Sequence, residues 1–166
     1  MNINIIACLA QDRGIGYEQK LLFHIPEDMR RFRALTTGHT LIMGRKTYES
    51  LPNGALPQRR NIVISHQNLH LPGCEVYHSV EEALPHCQDE TIFVIGGESI
   101  YREMLPYATT LYLTIVDATK KADTFFPCFS TKDWEMANQE TKKDEKKDTN
   151  QTLSYTFETW KRKIKV

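Results

Sequence analysis

Short runs of apolar residues recur along the chain, each about as long as one β-strand. The runs are rich in Ile, Val and Leu and show no alternation with polar residues, which is typical of strands buried on both faces of a parallel sheet. We therefore predict a parallel sheet that is covered by helices. The predicted strands are residues 3–10, 40–44, 61–65, 91–96 and 110–116.

Helix signals lie between these runs. Pro26 is followed by Glu27 and Asp28, and Gly38 directly follows the last predicted helical residue. Proline and acids favour a helix start, and glycine favours its end. Ser79 precedes Glu82 by three residues, which is the spacing of a capping box. The predicted helices are residues 26–37, 45–51, 79–87 and 97–105.

The C-terminal part of the chain has a different pattern. Leu153, Tyr155 and Phe157 alternate with polar residues. Residues 134–141 and 152–160 are therefore predicted to form an antiparallel hairpin, one face of which is more exposed to solvent than the other. The charged segment 142–150 between them contains no apolar residue and is predicted to be a solvated loop tip.

The fold class that follows is α/β. We expect one domain over residues 1–166, with a mixed, mainly parallel twisted sheet of about eight strands, an antiparallel C-terminal edge strand and about four flanking helices.

Composition and charge narrow the functional classes. The 21 basic and 21 acidic residues give zero formal net charge, which argues against nucleic acid or an anionic membrane as a partner. No run approaches the roughly 18 apolar residues of a membrane span, and the N-terminus lacks the basic residues of a secretory signal. We therefore expect a cytoplasmic protein. Its scattered cysteines, which form no CxxC pair, should be free thiols. They are Cys8, Cys74, Cys87 and Cys128.

One strand end carries a pair of glycines. Gly96 ends a predicted strand and Gly97 opens a predicted helix. Residues without a Cβ let another group approach the backbone, and the free N–H groups of a helix start suit a pyrophosphate. The pair does not belong to a GxGxxG fingerprint, and a purely structural tight turn is the alternative.

A second strand end combines glycine with cations. Gly44 is followed by Arg45, Lys46 and Thr47 at a predicted helix start. Cations are not favoured at this end of a helix, so an anion between them and the dipole is one hypothesis, and two solvated charges is the other. Ser65 and His66 end a third strand and could add donors to the same anion. The His66 and His70 pair lacks the HExxH pattern, so no metal site is expected.

Asp28 is the most informative acid. Asp28, Phe32 and Leu35 fall within about 60° of one another on the predicted helix, and Met29 flanks them. A carboxylate beside an apolar stripe is costly to bury unless a partner is present. A favourable interaction with the helix dipole is the simpler alternative, but it would not require a face shared with Phe32. We favour recognition of a flat cationic or amide-like group, with a pKa that desolvation can raise.

Arg59 and Arg60 precede a predicted strand. An Arg fork binds a carboxylate bidentately, whereas an ordinary exposed pair would have no such role, and spacing alone leaves both interpretations open.

Taken together, these motifs resemble the dihydrofolate reductase family from one end of the chain to the other and in the family's order. The stretches that carry the resemblance are residues 6–10, 14–16, 25–32, 43–50, 56–61, 94–97, 111–114 and 122–127. The resemblance implies an NADPH-dependent oxidoreductase that converts 7,8-dihydrofolate into 5,6,7,8-tetrahydrofolate for one-carbon metabolism. It also implies antifolate inhibitors as ligands and a monomer.

The resemblance assigns three catalytic positions. Asp28 matches the carboxylate that hydrogen-bonds the pterin and favours protonation of its ring nitrogen, and Thr114 matches the hydroxyl that orients this carboxylate. Phe23 stands where the family usually has Trp, so it lacks the indole N–H that in many members bonds an ordered water. The implied substrate-binding residues are Ile6, Asp28, Met29, Phe32, Leu51, Leu56, Arg59, Ile95, Tyr101 and Thr114.

The cofactor side follows the same resemblance. The two glycines after residue 95 match a pair joined by a cis peptide, and the cations after Gly44 would hold phosphates. Ser65 and His66 would meet the adenosine 2′-phosphate, which favours NADPH over NADH. Residues 14–20 match a mobile loop that closes over the nicotinamide. The implied set is Cys8, Gly14, Ile15, Gly16, Lys20, Gly44, Arg45, Lys46, Thr47, Ser65, His66, His78, Gly96, Gly97, Glu98, Ser99, Ile100 and Tyr101.

Two rival functions remain. A reductase of a riboflavin precursor has a similar sheet but would lack the Pro-Glu-Asp helix start and the Leu-Pro-Gln-Arg segment, both of which are present here. A non-catalytic pterin- or nucleotide-binding protein would have no need of both Asp28 and Thr114.

Overall fold

The computed structural model describes residues 1–146 and 151–164. The strands in this part of the chain are β1 (Asn2–Leu9), β2 (Gly14–Tyr17), β3 (Lys20–Leu21), β4 (Thr40–Gly44), β5 (Arg60–Ile64), β6 (Cys74–Tyr77), β7 (Thr91–Gly96), β8 (Thr110–Val116), β9 (Thr124–Phe125), β10 (Trp134–Lys146) and β11 (Gln151–Arg162). The helices are α1 (Pro26–Thr36), α2 (Arg45–Ser50), α3 (Val80–Ala83) and α4 (Glu98–Met104), with 3₁₀ turns at Leu84–Cys87 and Leu105–Tyr107.

Eight strands form the main sheet, in the order β10-β11-β8-β1-β7-β4-β5-β6. Every neighbouring pair from β8 to β6 is parallel, whereas β11 runs antiparallel to β8 and β10 runs antiparallel to β11. The predicted fold class, a mainly parallel sheet with an antiparallel C-terminal edge and flanking helices, is confirmed.

Helices cover both faces of this sheet. Successive residues of a strand point to opposite faces, and β1 shows the consequence. Ile5 belongs to the core cluster that contains Val80 of α3 and Met104 of α4, whereas Ile6 belongs to the cluster against which Phe32 of α1 packs. The even-numbered residues of β1 therefore face α1, which fixes the side of the sheet on which Asp28 lies.

Helix α1 begins where the sequence predicts. Ile25 is the N-cap in extended conformation, Pro26 occupies the first turn, and Glu27 and Asp28 are the acids of that turn. Proline lacks the N–H that would be left without a partner here, and the acids interact favourably with the helix dipole. The chain leaves the helix through Gly38 at a φ of 85°, a conformation that favours glycine.

The C-terminal hairpin extends over the start of α1. The Tyr155 hydroxyl donates to Glu27 Oε2 at 2.7 Å, and Lys142 Nζ lies 3.1 Å from Glu27 Oε1. The prediction of a solvated loop from residue 142 is therefore wrong for its first part, because β10 continues to Lys146. Residues 147–150 of that predicted loop lie outside the described residues.

Three further differences concern local structure. The predicted helix 79–87 ends as an α-helix at Ala83 and continues as a 3₁₀ turn through Pro85, because proline cannot donate the next helical hydrogen bond. Strand β6 was not predicted, and β2, β3 and β9 form a separate three-stranded sheet that was not predicted either. The expected cap of α3 is present, since the Glu82 N–H donates to Ser79 Oγ at 3.1 Å.

The cysteines are free thiols, as the sequence predicts. Among the described residues, no helix has both the length and the apolar character that a membrane span requires, and no group of three His, Cys, Asp or Glu side chains is arranged to hold a metal ion.

Candidate active site

Asp28 is joined to the sheet through Thr114. The Thr114 hydroxyl donates to Asp28 Oδ1 at 2.5 Å, across 86 positions of sequence. Thr114 is only 2% exposed, and Asp28 is half-buried, so the bond fixes the carboxyl group in a partly desolvated place. A carboxylate has more acceptor sites than this one bond uses. Asp28 can therefore still bind an N–H group of a ligand.

The surroundings of Asp28 affect its ionisation in opposite directions. Burial raises the pKa of the carboxyl, whereas the Thr114 hydroxyl, the Arg31 guanidinium and the Cys8 thiol oppose that rise. The Arg31 guanidinium carbon lies 4.4 Å from the centroid of the Phe157 ring, which holds the cation beside the sheet. Burial is the largest of these influences, so Asp28 takes up a proton at a higher pH than an exposed Asp would.

Apolar side chains lie on the face of the sheet that α1 covers, and we call this group the slot. Phe32, Leu51, Leu56 and Ile95 are half-buried and pack against one cluster that contains the buried Ile6. These residues come from α1, from the segment between β4 and β5, and from β7. Met29 is 42% exposed. It lies one residue after the carboxylate, at the open side of α1, rather than in the packed slot.

Arg59 is predicted to bind a carboxylate, and its contacts leave that role open. Its Nη1 donates to Thr36 Oγ1 at 3.1 Å and its Nε donates to the Pro57 carbonyl at 2.9 Å. Among the described residues no acid forms an ion pair with it. Arg60 is different, because Glu75 and Glu90 lie 2.5 Å and 2.7 Å from its guanidinium. Arg60 is thus part of a structural network, and Arg59 is the Arg available to a ligand.

The ends of β4 and β7 meet closely. A Cβ on Gly44 would lie 3.2 Å from Ile100 Cγ1, and a Cβ on Gly96 would lie 3.3 Å from Thr47 Oγ1. The Gly96–Gly97 peptide bond is cis, as the resemblance implied. The two glycine junctions found in the sequence therefore form one site, and an anion bound there can contact both.

The cations of this site are partly paired. Arg45 Nη1 lies 2.9 Å from Glu49 Oε1 within α2, whereas Lys46 is exposed. The Ser65 hydroxyl accepts from the Gln67 N–H at 3.2 Å, and His78 Nε2 lies 2.8 Å from Asn68 Oδ1.

One cavity of about 880 Å³ joins these groups. Every predicted cofactor-binding residue except Gly14 lines it. Gly14 is buried behind it, where a Cβ would lie 2.9 Å from Ala122 Cβ. Cys8, Ile95 and Tyr101 also line the cavity, and Ile95 belongs to the slot as well. The volume lies within the usual range for small-molecule sites.

Tyr101 lines the cavity and is bonded to β1. It is 5% exposed, its hydroxyl donates to the Ile6 carbonyl at 2.8 Å, and its ring centroid lies 5.0 Å from that of Phe126. The carbonyl of Ile6, a residue of the implied substrate-binding set, therefore already accepts one hydrogen bond.

The segment predicted as a mobile loop has ordered partners. Residues 14–17 form β2 and residues 20–21 form β3. The Glu18 N–H, in the turn between them, donates to Asp123 Oδ2 at 3.0 Å, and the Asp123 N–H donates to the Gly16 carbonyl at 3.0 Å. Phe23, just beyond, is 8% exposed and lies under Lys120, whose Nζ is 4.9 Å from the ring centroid.

Sequence reasoning missed several residues of the site. Arg31 was overlooked, although its i,i+3 spacing from Asp28 could have indicated an ion pair on one helix face. Asp123, Thr124 and Leu21 line the cavity. They reach it through the small sheet, for which the sequence carries no periodic signal.

Comparison with known proteins shows to which family the chain belongs. A family model described as dihydrofolate reductase matches residues 2–162. The chain belongs to the dihydrofolate reductase family. It is 38% identical to the dihydrofolate reductase of Staphylococcus aureus over 161 residues, which cover 95% of this chain and 96% of that protein. It is also 36% identical to dihydrofolate reductase HdrB of Haloferax volcanii. That alignment has 170 positions, gaps included, and covers 96% of this chain and 82% of that protein.

Solved structures agree. The dihydrofolate reductase of Enterococcus faecalis, complexed with NADP(H) and RAB-propyl, superposes with a TM-score of 0.86 at 32% identity and covers 98% of this chain and 97% of that chain. The predicted enzyme class, an NADPH-dependent oxidoreductase of the dihydrofolate reductase family, is confirmed.

Proposed function

We propose that this chain reduces 7,8-dihydrofolate to 5,6,7,8-tetrahydrofolate, with NADPH as the hydride donor and Asp28 as the carboxylate that recognises the pterin. The observation that carries the proposal is the Thr114 hydrogen bond to Asp28 beside a cavity that reaches the glycine pair. It brings an acid–base group and a nucleotide site together at one edge of the sheet, where open α/β folds bind their ligands.

Asp28 has two tasks in this proposal. Its free acceptor sites bind the amino group and ring N–H of the pterin, which fixes the ring in the slot. Its negative charge favours protonation of the neighbouring ring nitrogen, so that the adjacent carbon becomes a better hydride acceptor. Thr114 holds the carboxyl group in the orientation that both tasks need.

The other side chains position the substrate and exclude water. Phe32, Leu51, Leu56 and Ile95 supply apolar surface for the flat rings. Arg59 has the fork geometry for the glutamate α-carboxylate. Phe23 has no ring N–H, so we assign it a packing role beneath Lys120 rather than a bond to an ordered water.

The residues present fit NADPH. The junction of Gly44 and Gly96 has no side chain that would fill the place of a pyrophosphate, and the start of α4 supplies N–H groups. Lys46 and His66 are exposed at the cavity, where they can meet a 2′-phosphate. The cofactor supplies a hydride from its nicotinamide ring when bound.

The rival functions have less support. The family match favours dihydrofolate over a riboflavin precursor. A binding protein without catalysis would not need a desolvated carboxyl group held by a buried hydroxyl.

The test is loss of reduced-nicotinamide absorbance when the protein is mixed with NADPH and dihydrofolate. We expect loss that requires both compounds. Asp28→Asn should lower the rate on the order of 10²- to 10⁴-fold near neutral pH, and less at low pH, where the substrate arrives protonated. Asp133→Asn is the matched control, because Asp133 is exposed and outside the cavity.

Two outcomes would contradict the proposal. No absorbance loss with the unaltered protein would remove the reductase activity, and an unchanged rate for Asp28→Asn would remove Asp28 as its acid–base group.

We also propose a cytoplasmic monomer that binds antifolate inhibitors in the Asp28 slot. The free thiols support a reducing compartment. Sedimentation would give the mass of one 19.3 kDa chain, and an antifolate should compete with dihydrofolate. A dimer mass, or inhibition independent of substrate concentration, would contradict these two statements.

A further inference from the structure

Cys8 lies at the same level of the sheet as Thr114. The two residues are register partners on the adjacent parallel strands β1 and β8, so their side chains project to the same face. That face is the one covered by α1, and Thr114 uses it to reach Asp28 at 2.5 Å. The Cys8 thiol therefore lies beside the hydroxyl that binds Asp28, on the neighbouring strand and on the same face of the sheet.

We propose that Cys8 is a positioning residue, whose thiol is a second hydrogen-bond donor that holds the Asp28 carboxylate together with the Thr114 hydroxyl. The inference rests on the proposed function in one respect, since it assigns the thiol to the catalytic acid. A Cys at this position is otherwise only a small apolar side chain that fills space beside Phe23 and Val116.

The thiol can act as a donor only while it is protonated. Burial raises the pKa of Cys8, and the neighbouring Asp28 carboxylate raises it further. The S–H form is therefore the one present at neutral pH, and the thiolate that would react as a nucleophile is suppressed. A protonated thiol carries one S–H hydrogen, which is a weak donor that a carboxylate oxygen can accept.

The remaining groups that face Asp28 set the direction of the effect. Arg31 approaches from α1 and Thr114 from β8, and both favour the carboxylate form. The buried Tyr101 hydroxyl of α4 already donates to the Ile6 carbonyl. Cys8 is the donor from β1, and it also favours the carboxylate. Removing the thiol should move protonation of Asp28 to higher pH, and a hydroxyl in its place should move it to lower pH, because O–H is the stronger donor.

The first experiment measures the pH profile of dihydrofolate reduction. Relative to the unaltered enzyme, Cys8→Ala should shift the apparent pKa of the profile upward and Cys8→Ser should shift it downward. Cys128→Ala is the control, because Cys128 is exposed and should leave the profile unchanged. If both Cys8 variants shift the profile in one direction, or neither shifts it, the proposal is wrong. If Cys8→Ala melts below the assay temperature, the direction of the Cys8→Ser shift decides.

The second experiment needs no activity, so it separates failure of this inference from failure of the proposed function. Alkylation of Cys8 by iodoacetamide is followed against pH by mass spectrometry of its peptide. Asp28→Asn removes the neighbouring charge and should move the alkylation midpoint of Cys8 to lower pH, while that of Cys128 stays constant. Equal Cys8 midpoints in the two proteins would overturn the proposal even if the enzyme reduces dihydrofolate as expected.

Discussion

A single buried carboxyl group has opposite effects on function and on stability. The folded protein raises the pKa of Asp28 by burial, so its carboxylate is less favourable in the native state than in the unfolded chain. The native state keeps this group because its charge and geometry serve the ligand, as strained or desolvated groups at functional sites often do.

The pH dependence of stability follows from that pKa shift. The folded pKa of Asp28 lies above the unfolded one, so its contribution is fully favourable below the unfolded pKa, which is about 4, and is lost as the pH rises through the folded pKa. Asp28→Asn should therefore raise the free energy of unfolding at pH 7 and have little effect near pH 3. Denaturant titrations at the two pH values measure this, with Asp133→Asn as control. Lower stability of Asp28→Asn at pH 7 would contradict the sign.

In the proposed function, Arg59 binds the substrate but takes no part in hydride or proton transfer. A charge-assisted hydrogen bond is worth about 1.5–3 kcal/mol, so Arg59→Ala should raise the KM for dihydrofolate roughly ten- to hundredfold and leave kcat nearly unchanged. Arg33→Ala removes a neighbouring charge of α1 that also influences Arg59, and it should change KM much less. Equal effects of both substitutions would indicate a general charge effect instead of a specific fork.

At the scale of elements, two glycines with positive φ allow the effect of backbone strain to be separated from the effect of crowding. Gly96 has a φ of 127° and would place a Cβ 3.3 Å from Thr47 Oγ1, whereas Gly38 has a φ of 85° and open space around it. Alanine should therefore cost stability at both positions, on the order of 1 kcal/mol or more. Only Gly96→Ala should also weaken NADPH binding, which fluorescence titration can measure. Unchanged affinity in Gly96→Ala would mean that this junction does not contact the cofactor.

A strand could be predicted from the sequence when its own residues form a buried apolar run, and could not when it is held only by pairing with another strand. Strands β4, β7 and β8 have the predicted bounds, because their apolar runs are buried on both faces. Strand β6 is a half-exposed edge of four residues that includes Glu75, so it has no apolar run to detect. Strands β3 and β9 have two residues each and exist only through their pairing with β2, which no local pattern encodes.

The candidate site likewise has features that the local sequence shows and contacts that only the fold creates. The glycine junctions and the acid on the apolar face of α1 are visible in local sequence. The contact between Asp28 and Thr114 depends on two elements that only the fold brings together, and the resemblance to a family was needed to anticipate it. Arg31 and Cys8 both influence the Asp28 carboxyl group. The i,i+3 spacing could have indicated Arg31, whereas nothing in the local sequence indicates Cys8.

For the whole molecule, ligand binding and folding are linked, because a ligand that binds only the native state stabilises it. A ligand that binds only the native state at 100 times its Kd adds about 2.7 kcal/mol to the free energy of unfolding. NADPH should therefore raise the melting temperature by several degrees. NADH at the same concentration should raise it less, because it lacks the phosphate expected near Lys46 and His66. Scanning calorimetry gives both values, and equal shifts would contradict selection through a 2′-phosphate.

The 86-residue separation between Asp28 and Thr114 has a consequence for protein synthesis. The ribosome makes the carboxylate early, but the hydroxyl that orients it belongs to β8, which inserts between β1 and the C-terminal hairpin. A nascent chain that stops before residue 114 carries the helix, the slot residues and both glycine junctions, yet it has no oriented acid. Catalytic competence should therefore emerge late in translation, and an N-terminal fragment ending before β8 should be inactive until a peptide carrying that strand is supplied.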